Sequence, residues 1–568
     1  MKKIAMLTVK GAIGLLPLTI KNKLKSNHKL TEFYSKSLQR SGLFYGFPSK
    51  KKRMAMYGKY QQQQNQTVTA LASGYTTPDA LQVIIVGNSG VEVTLGALSR
   101  LRLSSLKVIV VGESGPRTDV LQASRLSGAI DRLDKGAPVL LLNAGDTLHQ
   151  HALKLLFHAL STHSLVYCDT DMRDKQGKLS SPHFLPDWNP ELFYSTAYID
   201  TGVLVTAAAL QQVRYTDVQS IAGLVAELAF ISPAISMGHV PYTVVHRSSK
   251  SAHIKVGLND VSKVLTDQTP AALAYNEALQ VNHVQWPVTK NPLVSLIIPT
   301  KNGKDLVKAC IDSILTKTTY KHYEILLIDN GSDEPDSLAY FESLKQIANI
   351  RVLSYPGPFN YSAINNFGVQ HAKGDVVGLV NNDIEVIKPD WLTFMVGHAI
   401  REDIGCVGAK LIYSDGRIQH GGVVLGYGGG AGHAHKYFPR YHPGYMKRLI
   451  ATQNYSAVTA ACLLVKKSLF NAVGGLNEKD LTVAFNDVDF CLRIKEAGVR
   501  NVYCAEAELY HHESVSRGLD IAPEKAARFQ RELTYLQTKW ADVIAHDPAY
   551  SPNLTLKREN FSIKEYTE

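Results

Sequence analysis

The sequence predicts an α/β chain: two tandem, doubly wound bodies around mostly parallel sheets, preceded by a basic arm and followed by a helical tail. Three observations carry this. Short, continuously apolar runs of strand length recur, bounded by Gly, Pro, Asn and Asp. The opening pair of runs in each body brackets a helical pattern, and a strand–helix–strand unit of about 30 residues implies a right-handed parallel crossover. The same order of runs then occurs twice, as an internal repeat would give.

The first body opens with Leu81–Val86, a helical pattern through Leu95, Leu98 and Leu101, then the run Val108–Val111 ending at Gly112. The second opens with Leu293–Pro299, a helical pattern through Leu306, Cys310, Ile311, Ile314 and Leu315, then Tyr323–Ile328 ending in Asp329-Asn-Gly-Ser332. Each has a later run with a polar end: Val139–Asn143 leading to Asp146, and Val376–Val380 leading to Asn381-Asn382-Asp383. The boundaries follow from composition: arm 1–60, Gln-rich linker 61–77, first body 78–285, a proline-marked joint at 284–292, second body 292–518 and tail 519–568. In the tail, Pro523 to Val543 reads as a helix with Phe529, Leu533, Leu536 and Trp540 on one face.

Bulk properties narrow the class. The chain has 568 residues, 45% hydrophobic and 20% charged, which excludes a disordered or fibrous protein. The net charge of +11 is concentrated: residues 1–60 hold 14 Lys/Arg against one acid, Glu32. Ala12–Leu18 and Leu43–Tyr45 interrupt that arm with apolar residues, which suits an anionic membrane surface better than nucleic acid. No apolar run reaches the roughly 18–20 residues of a membrane span. The first apolar stretch lacks a cleavage-site pattern, so no signal peptide is expected. Six scattered cysteines without CxxC spacing point to reduced core thiols, with neither a disulfide framework nor a zinc site. The expectation is a cytoplasmic protein, peripheral at the inner face of the plasma membrane.

Chemistry is expected where parallel strands end, because ligands of open α/β sheets bind there. In the second body those ends are Pro299-Thr300-Lys301-Asn302, Asp329–Ser332 and Asn381-Asn382-Asp383. Two strands thus deliver carboxylates to one rim, where one can hold a hard cation such as Mg²⁺ or Mn²⁺ and neutralise a diphosphate. Taken singly, each Asp serves as well for a helix cap or turn. Asn486 to Gly498 reads as a helix with an acidic start. Asp487 and Asp489, two apart, cannot share a face: one points into the cleft, the other caps the helix or pairs with Arg493 at i+4. Adjacent His511 and His512 close the body and can supply a metal ligand.

Together these motifs resemble the inverting family 2 glycosyltransferases of the GT-A fold, of the bacterial surface-polysaccharide type. The matching segments, in family order, are Ile298–Asn302, Leu327–Ser332, Phe359–Gly368, Leu379–Val386, Thr459–Val465, Val473–Glu478, Asn486–Asp489 and His511–Gly518. The third-last is the place of the family's GGFDE motif, and Asn486 stands where the family usually has Glu. The resemblance implies two tandem GT-A-like, Rossmann-like domains and transfer of a hexosyl or deoxyhexosyl group from a nucleotide-diphosphate sugar to a glycan or lipid-linked acceptor. Such transfer would serve O-antigen, capsule or lipopolysaccharide synthesis, need Mg²⁺ or Mn²⁺, and involve no nucleic acid. It assigns Asp487 as catalytic base, Asp383 and His511 to the metal (His512 being the other candidate), and Pro299, Thr300, Asn302, Asp329, Asn365, Asn381 and Asn382 to the nucleotide sugar.

The first body resembles the family without its working residues. Gly112 stands in the place of Asp329 and Gly145 in that of Asp383, with Asp146 one residue later. A degenerate domain is expected, with a second site using Asp146 and Asp169 as the alternative. The loops holding Gln419, His420, His433 and His435 are candidates for the acceptor side. Competing classes are a nucleotidyltransferase, for which Pro299–Gly303 is a poor phosphate loop, and a non-catalytic glycan-binding scaffold, which suits only the first body.

Overall fold

Long β-branched runs dictate the architecture. Val294–Thr300 is buried at every position and pairs on both sides, as the middle of a parallel sheet covered on both faces requires. The computed structural model describes residues 48–112, 120–213, 217–231, 235–248, 254–512 and 523–565, with scattered positions before 48. The chain divides into an N-terminal unit, mainly Leu38–Val284, and a C-terminal unit, mainly Gln285–Ala549. Tyr550–Thr555 belong to the former and Leu556–Phe561 to the latter. Most of the basic arm lies outside the described residues.

The N-terminal unit begins with helix α1 (Lys50–Ser73). The Gln-rich stretch expected as a linker is therefore the second half of a helix, and the arm ends before 50 rather than at 60. Tyr57, Tyr60, Gln64, Val68 and Ala72 recur every three or four residues and are buried. Gln64 can occupy that stripe because its Oε1 accepts from the backbone N (2.7 Å) and Oγ1 (2.9 Å) of Thr243.

The sheet of this unit is built from β1 (Ala80–Val86), β2 (Ser105–Val111), β3 (Leu121–Ala123), β4 (Val139–Asn143), β5 (Thr147–Leu148), β6 (Leu165–Arg173), β7 (Leu179–His183), β8 (Val203–Val205) and β9 (Met237–Arg247). Its order is β3-β2-β1-β4-β8-β6-β9-β5, with β7 on β6. Helix α2 (Ile221–Ile231) lies between β8 and β9 in sequence, and a hairpin of β10 (Ala272–Asn276) and β11 (Val281–Gln285) follows.

The C-terminal unit repeats the plan. Its strands are β12 (Val294–Thr300), β13 (Tyr323–Asp329), β14 (Ile350–Ser354), β15 (Val376–Val380), β16 (Ile384–Val386), β17 (Ile404–Ile412), β18 (Ile418–His420), β19 (Val423–Leu425), β20 (Ala431–His433), β21 (Gln453–Tyr455), β22 (Cys462–Lys466) and β23 (Arg500–His511). The order β14-β13-β12-β15-β22-β17-β23-β16 matches the first sheet strand for strand. β1/β2 and β1/β4 are parallel, as are β12/β13 and β12/β15, while β4/β8 and β15/β22 are antiparallel. The expected pair of Rossmann-like domains is thus present, and two copies of one eight-strand order are the mark of duplication.

Helix α3 (Lys304–Lys317) packs Val307, Cys310, Ile311 and Ile314 on one face of the second sheet, in a core with Leu296, Leu327 and Trp391. α4 (Pro335–Leu344), α5 (Tyr361–His371), α6 (Asn486–Glu496) and α7 (Pro523–Lys539) complete the parts that matter below. All six cysteines are buried and free. Among the described residues, no helix is long and apolar enough to cross a membrane.

Candidate functional site

At the carboxyl ends of β12, β13 and β15 the backbone stops pairing and its polar ends turn toward one rim. The β16–β23 ladder pairs Ile384 with His511, so Asp383 comes to lie beside the end of β23. His511 Nε2 is 3.2 Å from Asp383 Oδ1, and both side chains are more than nine-tenths buried. His512 N donates to Asp383 O at 3.0 Å, but its side chain faces the other way, to Glu385 (3.3 Å) and Ser414 Oγ (2.6 Å). Strand alternation thus decides between the two histidines: only His511 meets Asp383. Residues 513–518 of the closing motif lie outside the described residues.

From His511 a hydrogen-bond chain runs across the rim. Asn381 Nδ2 is 3.2 Å from His511 Nε2. The Tyr361 hydroxyl lies 3.2 Å from Asn381 Oδ1 and 3.0 Å from Ala460 O. Ala460 N in turn donates to Asp487 Oδ2 at 3.1 Å. Tyr361 was absent from the sequence-based set, yet it joins the two halves of the site. The available signal was its place at the first position of α5, next to the Asn360 cap whose side chain accepts from Ala363 N.

Asp487 sits in the first turn of α6. Its Oδ1 accepts from Val488 N at 2.9 Å. Burial pushes its pKa above the ordinary carboxylate value, and hydrogen bonds from Ala460, Thr459 and Val488 pull it back only in part. A carboxyl raised in this way is a better proton acceptor at neutral pH. Asp489 is the opposite case: burial acts to raise it, but Lys539, Arg493 and Trp540 together hold it below its usual value. It bonds Arg493 Nε at 2.8 Å, the i+4 pairing open to either residue in the sequence. The two acids thus sit in opposite electrostatic environments.

The other expected contacts divide. Asp329 Oδ1 accepts from Ser332 N (2.9 Å) and Oγ (2.6 Å), which fixes the loop after β13. Asn382 Nδ2 donates to Thr300 Oγ1 at 3.0 Å, joining the ends of β15 and β12. Pro299 is buried within β12. Asn302, in a left-handed conformation with φ 54°, spends its side chain on Asp333 and Glu334 at the start of α4. Asn365 is not brought to the rim: it is fully buried and donates to Tyr361 O at 2.8 Å.

His420 Nδ1 and His433 Nδ1 are 2.8 Å apart. Burial, then Lys436 and His511, push His433 down to about 3. His420 is also pushed well down by burial, His433 and His511, so both rings are neutral and near His511. His435 turns elsewhere, stacking on Phe561 at 4.1 Å and accepting from Tyr445 N.

The N-terminal unit has a corresponding rim. The β5–β9 ladder pairs Thr147 with His246, as Ile384 pairs with His511. Counted back from that ladder, and equally forward from β4, Asp146 holds the place of Asp383, because three residues separate β4 from β5 as they do β15 from β16; the place given to Gly145 in the sequence shifts by one residue. Asp146 is bound to Thr201 Oγ1 (2.6 Å) and Asn143 N (3.2 Å), and His246 to Asp171 (2.7 Å). Asp171 also takes the Tyr57 hydroxyl from α1. Asp169 is held by His239 (2.9 Å), Leu185 N (2.8 Å) and Asn553 (3.0 Å). A side chain at Gly112 would collide with Asn88, so the place of Asp329 is filled. α2 has no acid in its first turn.

Residues 295–474 match the family model "Glycosyl transferase family 2". The chain is 40% identical over 468 residues to an uncharacterized protein, y4gI, of Sinorhizobium fredii, covering 77% of this chain and 50% of that one. It is 34% identical over 455 residues to the O-antigen biosynthesis protein RfbC of Myxococcus xanthus, covering 76% and 35%. The chain therefore spans half or less of the length of these relatives. Among solved structures it is similar to a mannosyltransferase of Pyrobaculum calidifontis in complex with GDP-Man and Mn²⁺, with 14% identity, a TM-score of 0.34, and coverage of 44% of this chain and 65% of that one. Residues 295–474, within the C-terminal unit, are thus similar to the family 2 glycosyltransferases.

Proposed function

We propose that the C-terminal unit transfers a sugar, with inversion, from a nucleotide-diphosphate donor to a hydroxyl of a glycan or lipid-linked saccharide in cell-surface polysaccharide synthesis. The observation that carries this reading is the continuous chain His511–Asn381–Tyr361–Ala460–Asp487, which ties a carboxylate–imidazole pair to a carboxylate of raised pKa. The similarity to the O-antigen biosynthesis protein supports the polysaccharide setting.

Asp383 and His511 fit a divalent cation. An oxygen and a nitrogen ligand 3.2 Å apart match the spacing of two neighbours on one ion with bonds of about 2.1 Å. Two protein ligands suffice where diphosphate oxygens and water complete the shell. When bound, Mg²⁺ or Mn²⁺ would neutralise the charge that develops on the departing diphosphate. Asp329, at the end of β13, would accept from the nucleoside, with Thr300 and Asn382 beside it. Asp487 takes the acceptor proton as the acceptor oxygen bonds to the anomeric carbon and the bond to the diphosphate breaks. One displacement of this kind inverts the centre. His420 and His433, neutral and near His511, are suited to hydrogen-bond uncharged hydroxyls on the acceptor side.

The N-terminal unit serves on this reading as a non-catalytic partner domain, its carboxylates consumed by internal pairs. The basic arm before residue 48 binds anionic membrane and holds the enzyme at the inner face. Two experiments test these readings. A panel of nucleotide sugars is assayed for donor turnover with and without Mn²⁺; no turnover of any donor, or activity unchanged in Asp383→Ala and Asp487→Asn, contradicts the function. Sedimentation with phosphatidylserine vesicles compares the full chain with one lacking residues 1–47; equal binding contradicts the arm's role.

A further inference from the structure

We propose that helix α7, beyond the stretch matched by the family model, is a positioning clamp for the proton-accepting carboxylate: Glu532 grips the loop before α6, and Lys539 with Trp540 grip Asp489 within it. The inference rests on the reading of Asp487 as base.

The loop from Leu481 to Phe485 leads directly into α6 and sets the direction in which Asp487 points. On one side it is held by α5: Tyr361 N donates to Thr482 O (2.8 Å) and Ser362 Oγ to Leu481 O (2.6 Å). On the other it is held by α7. Glu532 Oε1 accepts from Thr482 Oγ1 (2.8 Å) and Val483 N (3.0 Å), and its Oε2 from Ala484 N (3.0 Å). Only 1% of Glu532 is exposed, so a carboxylate is buried in order to satisfy a loop rather than solvent. It fixes the segment just before the N-cap of α6, whose own N-cap residue, Phe485, makes no side-chain cap bond.

Phe485 is also in the left-handed region at φ 58°, which a bulky residue adopts only when its surroundings fix it. Its ring lies 5.3 Å from that of Phe529 of α7. One turn into α6, Asp489 is fully buried and accepts from Lys539 Nζ (2.9 Å) and Trp540 Nε1 (2.9 Å) besides Arg493. α7 thus holds the start of α6 at two points on either side of Asp487. Because Tyr361 belongs to both the loop contact and the rim chain, the clamp also sets the distance between Asp487 and the Asp383–His511 pair.

The test uses the full-length chain with Glu532→Gln, and Lys539→Met as the milder variant. Glu532→Gln keeps the shape but places an amide N–H against loop donors. Three readouts are taken: amide hydrogen exchange of residues 482–489, Mn²⁺-dependent binding of UDP, dTDP and GDP, and the pH profile of donor turnover. The clamp predicts exchange at Val483 and Ala484 faster by about tenfold or more, as loss of bonds to a charged acceptor gives. It predicts nucleotide affinity within about twofold of wild type and kcat lower by about 10–100-fold, the cost of misplacing a catalytic group by an ångström. The acid limb of the pH profile should also move, which a merely structural role would not cause. Unchanged exchange and kcat in Glu532→Gln overturns the proposal; if that variant does not fold, the same result in Lys539→Met overturns it. So does a fall in nucleotide affinity equal to the fall in kcat. Exchange that rises in the variant of a protein without Asp487-dependent turnover upholds the clamp and contradicts the proposed function.

Discussion

Replacing Tyr361 by Phe removes one oxygen atom and tests whether the site is a single connected device. The ring is buried and Phe occupies the same space, so no cavity forms. The hydroxyl's two contacts, to Asn381 Oδ1 at 3.2 Å and Ala460 O at 3.0 Å, are lost. The hydroxyl shares its one proton between these two acceptors; at about 1 kcal/mol for a neutral bond, plus the cost of leaving one partly buried acceptor unpaired, the variant should lose about 1–3 kcal/mol. In a unit of this size that lowers Tm by a few degrees. The larger effect should be on turnover. Asn381 becomes free to rotate its amide and releases His511 Nε2, and Ala460 loses one of the bonds that fix its N–H toward Asp487. We expect kcat lower by about 10–100-fold. Scanning calorimetry gives the first number and donor turnover the second. A Tm lowered with kcat unchanged would refute the reasoning, since Tyr361 would then be structural only.

Three further outcomes follow from the charges. Because burial raises Asp487, activity should be lost, as pH falls, at a pH above the ordinary Asp value of about 3.9. The same shift costs stability: the folded chain keeps a proton that the unfolded chain releases, so this term is favourable below the ordinary pKa and declines as pH rises through the raised one. Asp487→Asn should therefore abolish turnover yet raise Tm at neutral pH, checked by calorimetry; a lowered Tm contradicts the argument. Glu508 differs in sign. Burial acts to raise it, but Lys410 (2.9 Å) and Arg440 (2.7 Å) hold it down to about 2. Its stabilisation is present above the ordinary Glu value of about 4.3 and is lost as pH falls toward 2. Glu508→Gln leaves Lys410, 4% exposed, without its carboxylate and should cost about 3–5 kcal/mol in denaturant unfolding; a loss under about 1 kcal/mol would show that the pair is solvated.

Much of this was legible in the sequence for a simple reason. Strand runs that are buried on both faces, such as Val294–Thr300 and Tyr323–Asp329, leave an unmistakable apolar signature, and their ends mark the rim. Asp383 and Asp487 stand at such ends or at a helix start, where short-range rules apply. What was hidden depends on long-range contacts. The stripe Tyr57–Tyr60–Gln64–Val68–Ala72 carries a helical period, but four consecutive glutamines and a polar mean masked it, and Gln64 is satisfied by Thr243, far along the chain, together with the Tyr60 hydroxyl. Asn302 and Asn365 have the right chemistry for ligand contact, yet the start of α4 claims the Asn302 side chain and Tyr361 O takes the Asn365 amide N–H. Tyr361 gave no periodic signal, because its role comes from Asn381 and Ala460, brought together by three different elements. The N-terminal rim was read as carrying glycine where Asp383 stands; the β5–β9 ladder shows that an acid is kept there but bound to Thr201.

The central claim is that Asp383 with His511 and Asp487 divide the work of one rim, the former holding the metal–diphosphate and the latter the proton. Mn²⁺-dependent nucleotide binding, measured calorimetrically on wild type, Asp383→Ala and Asp487→Asn with turnover assayed in parallel, tests it most directly. The account predicts that Asp383→Ala loses both binding and turnover, while Asp487→Asn binds like wild type and does not turn over. Equal loss of binding in both variants, or metal-dependent binding retained in Asp383→Ala, would contradict it.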